Sequence, residues 1–182
     1  MIQWILNFLA AIFAPKPIQI VPLPVDVKPS DPVVLSLSQK AYAIAKKELG
    51  VEETPGDRNN KRILQYHQAT ELEASEDSVP WCSAFMNWCI QGGDDKDGGK
   101  GTRDAMARSW LNWGQKVAVP QEGDTVIFSS PTRGSESGHV AFFVAKSFPG
   151  FIKVLGGNQS DSVCYENYPT ALVLGYRRSL DG

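Results

Sequence analysis

Apolar and polar positions follow two periods along this chain, helical before Pro120 and alternating after it. Leu37, Ala41, Ile44, Ala45 and Leu49 recur at helical spacing, with Ser36 or Ser38 able to cap the run and Gly50 able to end it. That predicts a helix over about 38–49. A polar loop with the turn pair Pro55-Gly56 follows, then a second helix over about 60–69 carrying Ile63, Leu64 and His67. The run VPWCSAFMNWCIQGG starts on a proline suited to a first helical turn and stops at Gly92-Gly93, which predicts a helix over 81–91. A flexible loop over 93–101 and a short helix near 104–113 come next. Beyond Pro120, the segments 125–128, 139–145, 151–155, 163–165 and 172–176 read as short strands separated by turn residues. Helices first and strands afterwards predict an α+β domain, its helices packed on an antiparallel sheet. No internal repeat interrupts this order.

The first fourteen residues, MIQWILNFLAAIFA, are strongly apolar, with a narrow stripe of Gln3, Asn7, Ala10 and Ala14 at helical spacing. The run is short for a bilayer span and lacks the basic start of a secretory signal. Three readings stand: a weak signal or anchor, an interfacial helix touching membrane, or a helix that packs on the domain or on a second copy. Residues 15–35 hold Pro15, Pro17, Pro22, Pro24, Pro29 and Pro32, which fix φ and remove donors, so they read as an extended linker. Residues 36–182 then form the domain that would carry chemistry.

Composition narrows the chemistry. A chain of 182 residues suits one compact domain and an accessory segment. Its formal net charge of -2, with no clustered Lys or Arg, speaks against a nucleic-acid partner. The cysteines are Cys82, Cys89 and Cys164, and an odd count leaves at least one thiol outside any disulfide. With no C-x-x-C pair and only two histidines, no zinc site of ordinary spacing is expected, nor any cofactor. The acidic stretch with Glu71, Glu73, Glu76 and Asp77 offers oxygen ligands for Ca²⁺, but its spacing matches no EF-hand loop and it reads as solvated.

Cys82 falls in the first turn of its predicted helix. N–H groups there lack intrahelical acceptors and the dipole is positive, so a thiolate is favoured. The backbone N–H groups of Cys82 and Ser83 can hold a developing oxyanion. Cys89 lies deeper in the same helix among apolar neighbours and reads as core; Cys164 reads as filler in a strand. A thiolate needs a base. His139 opens a predicted strand after the loop SSPTRGSESG and suits that role, whereas His67 reads as a packing or surface residue. The turn SFPG joins the strand of His139 to the next one. Centred between Phe148 and Pro149, it sets His139 opposite Asn158. Centred between Pro149 and Gly150, it brings the partner nearer Ser160. Asn158 is the candidate that fixes the imidazole tautomer, and Asp161 a weaker one. Trp81 and Gln159 flank these residues and are candidate substrate contacts. Asp124, in GDTVIF, reads as structural.

The strings VPWCSAFMNWCI, GDTVIF, GHVAFFV and VLGGNQSDSV, in that order, resemble the CHAP and NlpC-type papain-like peptidoglycan hydrolases, and in particular CHAP domains of phage endolysins and bacterial cell-wall enzymes. The resemblance spans about residues 38–178. It implies a papain-like fold and cleavage of an amide bond in peptidoglycan through a thioester, by an amidase or an endopeptidase, at the cell wall. Matched position by position, Cys82 is the nucleophile, His139 the base and Asn158 the residue that orients the histidine. Many CHAP domains carry a glutamate two residues before that asparagine; here the position is Gly156. A silent wall-binding module and an effector hydrolase or acyltransferase acting on protein are the alternatives.

Overall fold

The computed structural model describes residues 35–180, apart from 57, 131–133 and 135. Expectations for residues 1–14 and for the proline-rich segment up to residue 34 lie outside the described residues. Three helices come first: α1 (Leu37–Lys47), α2 (Lys61–His67) and α3 (Cys82–Ile90). A 3₁₀ segment (Ala107–Asn112) stands where a short α-helix was expected. Six strands follow: β1 (Gln115–Val117), β2 (Thr125–Ser129), β3 (Gly138–Lys146), β4 (Phe151–Gln159), β5 (Ser162–Pro169) and β6 (Val173–Arg178). They form one sheet in the order β1-β6-β2-β3-β4-β5, every neighbouring pair antiparallel. This is the α+β architecture that the pattern predicts. β1 escapes the pattern because three residues, two of them exposed, carry no alternation to read. Among the described residues no helix is long and apolar enough to cross a membrane.

Burial explains the layering. All nine residues of α3 are buried, because α1 and α2 cover one side of it and β3 and β4 the other. Trp81, Tyr66, Phe85, Met86 and Trp110 are fully enclosed in this core. Each large apolar side chain so buried contributes roughly 1.5–3 kcal/mol. The opposite face of the sheet carries a smaller core of Val126, Phe128, Ala141, Phe143, Ile152 and Val154. Asp124, on the loop entering β2, is structural as expected: it is 2% exposed, takes two hydrogen bonds from the Arg178 guanidinium (2.8 and 2.7 Å) and accepts one from Gln121 N–H.

Two backbone features set up the region of interest. Gly157 lies against α3, where an added Cβ would stand 2.4 Å from the Trp81 ring and 2.8 Å from Phe85; only glycine lets β4 approach this closely. One step on, β4 bulges. Gly156 pairs with Cys164 and Gln159 with Ser162, so three steps on β4 oppose two on β5. Asn158 takes up the extra residue at φ 57.

Candidate active site

Four segments meet around the end of β4. The first is the start of α3. Trp81 occupies the N-cap position and Cys82 is the first helical residue, 7% exposed. The helix supplies no acceptor for the N–H groups of its first turn. The second is the start of β3, with His139. Its ring clusters nearly parallel with Tyr168 of β5 (centroids 5.1 Å, 12°) and Phe128 of β2 (6.2 Å, 24°). The third is residues 50–53, which run along the start of β5 through Gly50 N–H to Val163 O, Val163 N–H to Val51 O, Glu53 N–H to Asp161 O, and the bridge of Glu52 with Ser162. This brings Glu53 to the site. The fourth is the bulge itself.

His139 and Cys82 both neighbour Tyr168. The imidazole stacks on its ring, and Cys82 lies close enough to act electrostatically on its hydroxyl. Burial first, then the neighbouring Glu166 carboxylate, pushes the Tyr168 hydroxyl well above its ordinary range.

The bulge redistributes two polar side chains. In a regular β4, residues 152, 154, 156 and 158 would share the sheet face that carries His139. The register Phe142↔Leu155 is that of a turn centred between Phe148 and Pro149, so Asn158 would indeed stand opposite His139. The extra residue inverts this parity. Asn158 turns to the helix face, where its Oδ1 accepts from Trp81 N–H (3.3 Å) and its Nδ2 donates to Glu53 Oε1 (3.0 Å). Gln159 turns to the face of His139, and its Oε1 lies 2.9 Å from His139 Nε2. Sequence reasoning assigned the histidine contact to Asn158; the structure gives it to Gln159. Two further expectations need correction. Gln159 is 1% exposed and Trp81 is 0% exposed, so neither presents its side chain to a substrate.

Glu53 is the residue that sequence reasoning missed altogether. Its Oε1 accepts from the Trp81 indole Nε1 (2.8 Å) as well as from Asn158, which ties the loop, the helix start and the strand end together. Burial pushes its carboxyl above the ordinary range against the pull of the Trp81 indole, with Asp161 and Asp77 adding to the rise. Nothing in the spacing around VEETPG marks it, because its link to Asn158 is made 105 residues away along the chain. Ser83, the second oxyanion candidate, has its hydroxyl committed inward: it donates to Asp104 O (2.6 Å) and accepts from Trp110 Nε1 (2.9 Å). Only its backbone N–H can serve the site.

The remaining candidates fall elsewhere. Cys89 is enclosed, and burial drives its thiol well above the ordinary value. His67 is buried on α2, with its ring beside the Glu76 backbone and Asp77. Asp77 of the acidic stretch accepts from Thr54 and Asn60 N–H groups through one oxygen, so it knots the loop onto α2. Among the described residues no group of three or more His, Cys, Asp or Glu side chains gathers as a metal site.

A comparison with curated proteins finds no match to this chain. Residues 74–158 match the family model of the CHAP domain. The matched segment contains Cys82, His139 and Asn158 and ends one residue short of Gln159, and the six-stranded antiparallel sheet with its few helices is the papain-like fold of that family. Over residues 74–158 the chain is thus similar to the CHAP domain, a family of amidase- or peptidase-type hydrolases that act on peptidoglycan.

Proposed function

We propose that this chain hydrolyses an amide bond of peptidoglycan with Cys82 as nucleophile and His139 as its base, through a thioester. The observation that carries the reading is the meeting of a cysteine at a helix start with a stacked histidine across the end of β4, inside the CHAP segment. The thiol proton passes to His139 and the thiolate adds to the scissile carbonyl. N–H groups of Cys82 and Ser83 face the oxyanion, where fixed dipoles stabilise the developing charge. Collapse of the tetrahedral intermediate breaks the C–N bond, and His139 returns its proton to the leaving amine. Water, deprotonated by His139, then hydrolyses the thioester to a carboxylate and restores the thiol.

The chemistry fits both a muramoyl-alanine amidase and a stem-peptide endopeptidase, working at the wall from the periplasmic or extracellular side as endolysins do. Digestion of purified wall, with mass spectrometry of the fragments, names the bond. New N-terminal alanine on stems severed from muramic acid identifies the amidase, and cut stems identify the endopeptidase. Cys82→Ala and His139→Ala each reduce fragment release at least about a thousandfold. Full activity in either variant overturns the mechanism. Wall binding without any fragments identifies a silent module, and hydrolysis of protein amides with intact wall identifies an effector.

A further inference from the structure

The third member of the site follows from how one amide is held. We infer that Gln159 is the positioning residue of His139 and that the bare backbone of Gly156 is the seat its amide occupies. The inference rests on the reading of His139 as the base.

The amide can be oriented without ambiguity. Gln159 Nε2 stands 2.7 Å from the Cys164 carbonyl, which can only accept, so the NH₂ end faces Cys164. The oxygen end therefore faces His139 at 2.9 Å. That oxygen can only accept as well, so ring Nε2 carries the proton. In the neutral imidazole the lone pair then lies on Nδ1, the nitrogen left to take a proton from a thiol. Stacking on Tyr168 fixes the plane of the ring, and Gln159 fixes its rotation within that plane.

Gly156 makes this arrangement fit. A Cβ at 156 would stand 2.7 Å from Gln159 Oε1 and 2.9 Å from the Ala141 Cβ. A side chain at 156 and the inward amide of Gln159 exclude one another. The resemblance to CHAP domains sets a glutamate of many members at the position of Gly156. This chain fills the same space from 159 instead, three positions later in sequence and across a bulge. Asn158 cannot compete for the imidazole, since both ends of its amide are engaged by Trp81 and Glu53. It straps the helix start to the strand end. A neutral amide also supports the imidazolium less than a carboxylate would, so the exchange leaves a mark on proton affinity.

The test reads His139 directly. In the full chain bearing Cys82→Ala, the ring is titrated by NMR. The chain has only two histidines, and His139→Ala assigns the signals. Gln159→Met keeps the volume and removes the acceptor. Gly156→Ala leaves Gln159 in place and displaces its amide, which covers the event that the buried methionine disturbs folding. Each is expected to lower the His139 midpoint by about 0.5–1 pH unit and to speed exchange of the Nε2 proton. Asn158→Ala is expected to leave both where they were. In the catalytic background, Gln159→Met should cut kcat about tenfold or more with KM within about twofold, and shift the alkaline limb of the rate profile down by the same amount. An unmoved midpoint in both Gln159→Met and Gly156→Ala, or an equal shift in Asn158→Ala, overturns the inference. Because the titration needs no substrate, a clear midpoint shift in a chain that cuts no wall would overturn the proposed reaction and leave the positioning role standing.

Discussion

The starts of α1 and α3 solve the same problem in opposite ways. At α1 the orphan amides are closed locally: Ser36 Oγ accepts from Gln39 N–H (3.2 Å) and Gln39 Oε1 accepts from Ser36 N–H (3.0 Å), a reciprocal capping box. At α3 the cap position holds Trp81, which makes no side-chain cap hydrogen bond. Its indole and its backbone N–H are instead anchored from outside by Glu53 and Asn158. One helix start is finished for stability. The other is held by its neighbours, with the N–H groups of its first turn outside the intrahelical ladder, where the proposed mechanism uses them for the oxyanion. The contrast shows where this chain gives up local stability for chemistry.

The largest effect expected from this contrast is in thiol reactivity. Cys82 and Cys89 lie seven residues apart on one helix, one at the positive end and one sealed in the core. Iodoacetamide at neutral pH should modify Cys82 on the order of a thousandfold faster than Cys89. Intact-mass measurement of wild type and Cys82→Ala checks it: the fast label disappears in the variant, leaving slow reaction at half-buried Cys164. A fast label that survives in Cys82→Ala would remove the distinction between the two ends of α3.

Next in size is a change confined to the scaffold. The Arg62 guanidinium reaches Glu48 through two hydrogen bonds of 2.7 Å and Asp94 through two of 2.7 and 2.9 Å, while Tyr66 donates to Glu48 at 2.6 Å. Burial raises the Glu48 carboxyl, but the hydrogen bonds from Arg62 and Tyr66 outweigh it and hold the group below its usual range. Arg62→Ala leaves that carboxylate nearly enclosed and poorly compensated, at a cost of about 3 kcal/mol in urea unfolding. The rate of wall cleavage by the folded enzyme should not change, because these groups tie α1 to α2 away from the reacting atoms.

How much of this could be read from sequence depends on whether the determinant is local. The α1 cap, the start of α3 at Cys82 and the alternation of β2 to β4 are set within a few residues and were legible. The hairpin register was not: SFPG left two centres open, and an irregularity between Phe143 and Ala145 shifts the pairing that the turn itself sets. The identity of the histidine's partner was not. It turns on one extra residue at Asn158, and a bulge of that kind leaves no periodic trace while inverting which side chains share a face. Glu53 was invisible for a different reason. Its place depends on residues 50–53 pairing with the start of β5, a contact between distant segments that neither spells out. Gly156 and Gly157 both serve close approach inside a strand, which no periodic signal announces.

Acid should separate scaffold from site further. The His67 imidazole is held below its ordinary value of 6.5 chiefly by burial, with the Glu76 backbone and Asp77 offsetting only part of this. A base with a depressed midpoint stays neutral in the fold while the unfolded chain takes up a proton. Stability is therefore complete above pH 6.5 and falls as pH drops through the window below it. Glu48 adds a second loss, beginning near its ordinary value of 4.5 and continuing down through its lower folded value. Melting temperature against pH should show both steps. His67→Leu should flatten the first and leave the second, and a first step that persists in that variant would assign it to another group.

The smallest expected effect tests the comparison most directly. Ser36→Ala removes one acceptor from the α1 start and should cost about 1 kcal/mol. The loss is limited because the hydrogen bond is open to solvent, although Ser36 itself is half-buried, and water can replace the hydroxyl at Gln39 N–H. Ser36 and Gln39 bond to one another within the first turn of α1, so kcat and KM for wall cleavage should match wild type at temperatures where both fold. Gln39→Ala, which removes the return half of the box, should cost no more than this, and the double variant less than the sum, since each half loses its purpose without the other. Additive losses would mean that the two hydrogen bonds act independently. A change in kcat with Ser36→Ala would mean that the start of α1 is coupled to the start of α3, and the division between a helix start finished for stability and one kept for chemistry would fail.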